Sequence, residues 1–186
     1  MIMMMKTRSN STVVRALILL GAALVLGALG HAIRAKEHIK RDGEVVYLEL
    51  APVDPRSLMQ GDYMALRFRL AQDIDRRLDA PAVVTADLRS DAPTTAARPR
   101  EGELAYVALA LDERRVATLA AQPASNPLRL RYRMRHGGVW LGTNAFFFRE
   151  GESMRFSGAR YGEFRVDRDS GEAVLVGLRG EKLAPM

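Results

Sequence analysis

A chain of 186 residues with 28 lysines and arginines against 22 aspartates and glutamates carries a formal net charge of +6. The absence of cysteine excludes disulfides, thiolate metal sites and a cysteine nucleophile, and His31, His38 and His136 show no metal-ligand spacing, so no metal and no cofactor is expected. The arginines of the C-terminal part are interleaved with acids, with no basic block carrying stacked aromatics; nucleic acid is not an expected partner, and the charge reads as an ordinary solvated face.

Residues 1–12 read as a short cytoplasmic tail. Ala16 to Ile33 follow without a formal charge, and with Val13 and Val14 they make a transmembrane anchor over 13–33, about 30 Å long at the rise of an α-helix. A cleaved signal peptide needs a small-x-small site after its apolar region. The exit here is His31-Ala32-Ile33-Arg34, so an uncleaved signal anchor is the better reading. Lys6, Arg8 and Arg15 lie before or at the start of the span and Arg34, Lys36, Lys40 and Arg41 after it, which leaves the positive-inside count balanced. The short tail and long C-terminal part favour an N-in orientation, with the domain outside the inner membrane, in the periplasm or beyond the cell. Ala23 and Gly27 form a small-xxx-small pair that can bring two helices close, so a homodimer stays open, although small residues are common throughout this chain.

Residues 34–43 read as a juxtamembrane helix or linker stopped by Asp42-Gly43. Beyond them, about 140 residues suffice for one domain. Glu44 to Leu50 alternate, with Val46, Leu48 and Leu50 on one face. Pro52 and Pro55 mark the connection that follows. Tyr63 to Leu70 read as a second strand, Met64, Leu66, Phe68 and Leu70 pointing inward. Gln72 to Leu78 suggest one helical turn, Ala82 to Leu88 a strand, and Ser90 to Arg100 an exposed loop. Strands are expected at Glu103–Leu111, Val116–Leu119, Leu128–Met134 and Val139–Leu141, with Asn144–Phe148 an aromatic run. Glu152 to Ser157 fit either an extended piece with Met154 and Phe156 inward or a single helical turn. Arg160–Val166 and Ala173–Leu178 form a hairpin. The fold expected is mainly β: a single transmembrane helix, then a β-rich sandwich or half-barrel over 44–186 with one or two short helices.

The stretch Gly61-Asp62-Tyr63-Met64-Ala65-Leu66-Arg67-Phe68 resembles the signature of the GDYXXLXY family, with Phe68 at the place of the final tyrosine. The N-terminal span, Leu50 to Arg56, Phe147 to Gly151 and Ala159 to Glu163 are similar to that family's layout as well. The resemblance implies a bacterial membrane-anchored protein with an extracytoplasmic domain, and polytopic membrane proteins as its neighbours.

The binding surface expected combines Asp54, Arg56, Gly61, Asp62 and Tyr63 with Glu150, Arg160 and Tyr161. Each has a plainer reading. Asp62 beside Gly61 can cap backbone N–H groups in a loop. Tyr63 fits a strand-edge packing residue. Tyr161, Glu163 and Arg165 share one strand face that could be merely solvated. The function expected is a non-catalytic accessory subunit or binding module of an envelope complex. It would be held in the lipid bilayer through 13–33, with a polytopic membrane protein as partner. The alternative is a membrane-bound hydrolase remotely like a signal peptidase, using Asp62 with a neighbouring carboxylate or tyrosine. Against it, Ser57 lies on the wrong side of Pro55 for a peptidase nucleophile, and Lys36, Lys40 and Lys182, the lysines beyond the span, are in no core strand where a desolvated base would sit.

Overall fold

The computed structural model describes residues 9–51, 59–60, 63–80, 98–122 and 125–186. The expected strand at Ala82–Leu88 and most of the loop after it lie outside these residues. The chain divides into two compact units, residues 1–38 and 39–186.

The first unit is helical. Helix α1 (Ser9–Asp42) runs unbroken through the apolar segment and the expected linker. Its side chains from Val13 to Ile33 are largely exposed, and it is long and apolar enough to cross a membrane, a property that an N-terminal signal sequence shares. Lys40 and Arg41 occupy its last turn, where cations complement the helix dipole. The Gly43 N–H closes the end on Ile39 O at 2.8 Å.

The second unit is a β-rich half-barrel. Ten strands are described: β1 (Glu44–Glu49), β2 (Met59–Gln60), β3 (Tyr63–Ala65), β4 (Leu104–Leu111), β5 (Ala117–Leu119), β6 (Leu128–Arg135), β7 (Gly138–Trp140), β8 (Ala145–Phe147), β9 (Tyr161–Val166) and β10 (Ala173–Arg179). They form antiparallel sheets in the orders β1-β9-β10, β2-β3-β8 and β5-β4-β6-β7. Backbone contacts join the sheets. Tyr47 makes a parallel bridge with Val116 and donates to Arg115 O at 3.0 Å, setting β1 beside the start of β5. The Arg131 N–H donates to Gly171 O at 2.7 Å, so the β9–β10 turn returns to β6. Leu50 bridges Phe68 and ties the small β2-β3-β8 sheet to the end of β1.

The core follows from the alternation. Val46 and Leu48 of β1, Leu128, Leu130, Tyr132 and Met134 of β6, and Phe164 and Val166 of β9 are all buried on inner faces. Phe68 meets Phe164 edge-on at 5.2 Å between ring centroids. Gly162 lies beside them because a Cβ there would stand 3.0 Å from Phe68 and 3.1 Å from both Leu175 and Phe164.

Two expectations are corrected, and one left open is resolved. The strand from Tyr63 stops at Ala65, although Met64, Leu66 and Phe68 all point inward as their alternation requires. The single turn at Gln72–Leu78 is a three-turn helix, α2 (Arg69–Asp79). Leu70, Ile74 and Leu78 lie four apart and pack on the core, and the charged residues between them disguise this stripe in the sequence. Of the two readings left open for Glu152–Ser157, the single helical turn is the one found: Ser153–Phe156 form a 3-10 turn that buries Phe156 and leaves Met154 79% exposed.

Candidate functional site

β9 carries Tyr161, Glu163 and Arg165 on the face opposite the core. In register beside them stand Glu49, Tyr47 and Val45 of β1. On the other side, β10 has a bulge between Leu175 and Gly177. Up to Leu175, odd-numbered residues of β10 face the core; the extra residue inverts the alternation. Leu178 therefore turns inward, where it is buried, and Arg179 lands opposite Tyr161 on the outer face.

That inversion brings Arg179 to Glu163. Arg179 Nε donates to Glu163 Oε2 at 2.5 Å, and its Nη2 reaches the same oxygen. Glu163 is only 6% exposed. The plain expectation of a solvated Tyr161-Glu163-Arg165 stripe is thus corrected at its centre, where Glu163 is a buried, paired carboxylate. Tyr161 is half-buried and lies 5.8 Å under the Arg114 guanidinium, which also donates to Glu181 O at 3.0 Å. Arg165 donates from Nη1 to Gly43 O at 3.2 Å, while its Nε is buried without a hydrogen-bond partner.

Arg160, just before β9, is exposed. Its carbonyl accepts from Leu50 N–H and its N–H donates to Arg179 O, both at 2.8 Å. On the other side of this corner, Ala51 N–H donates to Arg67 O at 2.8 Å. Residues 50–51 therefore run between Arg160 and Arg67, two exposed arginines. Glu49 pairs with Arg69 at 3.2 Å beside them. Asp54, Arg56, Gly61 and Asp62 lie outside the described residues.

Tyr63 stands on β3 opposite Phe147 of β8, with ring centroids 5.8 Å apart. The alternation of β8 sends Phe146 inward against Phe156 at 5.1 Å and leaves Phe147 75% exposed. Glu150 is exposed in the turn that follows, where Glu152 accepts from the Arg149 N–H at 3.4 Å. Tyr63 and Glu150 thus belong to the β3–β8 region, and Arg160 and Tyr161 to the start of β9. The Leu50–Phe68 bridge is what links these two parts of the expected surface.

Two clusters escape a reading of the sequence alone. Asp75 of α2 accepts from Val139 N–H at 3.1 Å and pairs with Arg98 at 3.1 Å, while Arg98 also donates to Gly137 O at 2.6 Å. This latch holds α2 against the β6–β7 turn. Next to it, burial and then the Asp75 carboxylate push the Tyr132 hydroxyl above its ordinary pKa, with Arg98 opposing them. The second cluster is a basic-aromatic face. Arg129, Arg131, Arg133 and Arg135 project from one side of β6; register places Tyr106 of β4 beside Arg131 and Trp140 of β7 beside Arg133. Arg135 lies 4.2 Å over the Trp140 ring and Arg129 5.7 Å over that of Tyr106. The sequence shows no basic block with stacked aromatics, yet strand pairing assembles one. Its single signal in the sequence is the arginine at every second position from 129 to 135.

Among the described residues, no group of three or more His, Asp or Glu side chains is placed to hold a metal ion. The family model described as GDYXXLXY protein matches residues 25–178, most of the chain. No curated protein and no solved structure matches it.

Proposed function

The chain belongs to the GDYXXLXY family, and from that premise we propose that it is a membrane-anchored binding module. It acts as a non-catalytic accessory subunit of a bacterial envelope complex, with its half-barrel outside the inner membrane and a polytopic membrane protein as partner. The observation that carries this reading is the pair Tyr63–Phe147. The tyrosine of the family motif packs at a tilt of 40° against a phenylalanine that presents three quarters of its surface to solvent. Beyond its contact with Tyr63, the exposed face of Phe147 packs on nothing described in the domain, and aromatic rings of this kind are typical anchors of protein–protein interfaces. The chemistry nearby argues the same way. Of the two carboxylates a hydrolytic reading would set beside Asp62, Glu163 is buried and paired with Arg179, while Glu150 is exposed in a turn. A general acid or base has to reach its substrate.

Co-purification of tagged protein from native membranes in mild detergent, with Phe147→Ser alongside, tests the reading. Phe147 is exposed, so the variant should fold and melt as wild type does. A stoichiometric membrane partner recovered with wild type and lost with Phe147→Ser is the expected result. Equal recovery with both forms, or no partner with either, would overturn the proposal.

A further inference from the structure

We propose that the outer face of the β5-β4-β6-β7 sheet docks onto anionic lipid headgroups, an inference that rests on the reading of residues 13–33 as a membrane anchor. The four β6 arginines repeat every second residue, which sets neighbouring Cα atoms about 7 Å apart on one face. Such a row repels itself, and one carboxylate among the described residues offsets it: Glu172, 2.9 Å from Arg131. The aromatic contacts of Arg129 and Arg135 hold those groups in place without cancelling their charge. Leu104 and Tyr106 of β4 stand exposed on the same side. Arginine, tyrosine, tryptophan and leucine on one face make the composition that settles where water meets a bilayer.

Continuity with the point where the helix joins the domain narrows the choice of anionic partner. Arg131 is bonded to Gly171 and Glu172 in the β9–β10 turn. Arg168 of that turn donates to Glu44 at 2.7 Å, and Arg165 to Gly43 O. The chain leaves its apolar segment at Ile33 and reaches β1 at Glu44, and the helical residues between span only about 15 Å. An anchored domain is therefore held within reach of one polyanion at all times, the lipid surface. A tether of that length gives it a high effective concentration. An acidic protein segment or a soluble anion has no such guarantee.

Trp140 is the single tryptophan of the chain and sits on this face, so its fluorescence reports the contact directly. The full chain is reconstituted into nanodiscs of phosphatidylcholine, with and without about one-third phosphatidylglycerol, at low ionic strength. With anionic lipid, Trp140 emission moves to shorter wavelength and acrylamide quenching falls, and about 0.5 M salt abolishes the difference. Arg129→Gln combined with Arg133→Gln lowers the ratio of docked to free protein about thirty-fold. Should that variant fail to fold, the salt response of the wild type carries the test. Identical emission and quenching in both lipids would overturn the proposal. So would reproduction of the effect by inorganic phosphate in phosphatidylcholine discs, which marks a soluble anion. Protection confined to native membranes would also overturn it and mark a protein partner. Failure to insert into either disc would instead overturn the anchor reading on which it rests.

Discussion

Glu163→Ala is expected to destabilise the half-barrel by about 3 kcal/mol, and the size follows from where the charges lie. The Glu163 side chain is 8% exposed and that of Arg179 24%. Removing one partner of a buried pair costs roughly 3–5 kcal/mol, because the other charge is left without a counter-ion in a place water does not fill. Arg179 retains some solvent, which sets the figure at the low end. For a domain of this size the melting temperature should fall by roughly 6–12 °C. Urea unfolding is the assay, with the midpoint shifting and the slope unchanged. An internal comparison is Arg168→Ala. Its pair with Glu44 is more exposed, and Glu44 keeps Arg115 at 2.7 Å, so the loss should be about 0.5 kcal/mol. Glu163→Leu combined with Arg179→Met should recover most of the single-variant loss, since a buried pair is worth little more than apolar packing of similar volume. A loss below about 1 kcal/mol for Glu163→Ala would refute the reasoning, because it would mean that the pair is solvated like any on the surface.

Two further outcomes follow from packing and from titration. Gly162→Ala should cost about 1–3 kcal/mol in the same unfolding experiment, because the new methyl meets Phe68, Leu175 and Phe164, and the two rings are buried and cannot yield; a neutral effect would show that the core there is loose. Tyr132 has a folded pKa above the unfolded value of 10.0, so the native state binds the extra proton at alkaline pH. The stabilisation is fully present below about pH 10 and is lost as the pH rises toward the folded value. The stability gap between wild type and Tyr132→Phe should therefore narrow above about pH 10, and parallel stability curves would contradict the burial of a protonated hydroxyl.

Much of the strand pattern is legible from the chain. Val46 and Leu48, the inward row of β6, and Phe164 and Val166 reveal themselves because a strand's period of two depends only on neighbouring residues. The three turns of α2 are harder to see, since Leu70, Ile74 and Leu78 are separated by aspartates, arginines and glutamine that suggest a loop. Of the expected surface, Glu150 and Arg160 are exposed and Tyr63 and Tyr161 are half-buried. The contact of the Tyr63 and Phe147 rings, residues far apart in the chain, depends on the pairing of β3 with β8.

By itself, then, the sequence determined the apolar helix, the β-rich class, the family and the alternation of the main strands, all properties carried by local order. Tertiary structure alone decided which side chains of different strands share a face. The bulge in β10 inverts its alternation and delivers Arg179 to Glu163, turning a stripe that reads as solvated into a buried ion pair. The register of β4, β6 and β7 gathers Tyr106, the four arginines and Trp140 onto one side. Bulges and register are set by the packing of whole strands against a common core, and a shift of one residue would send each of these side chains to the opposite face.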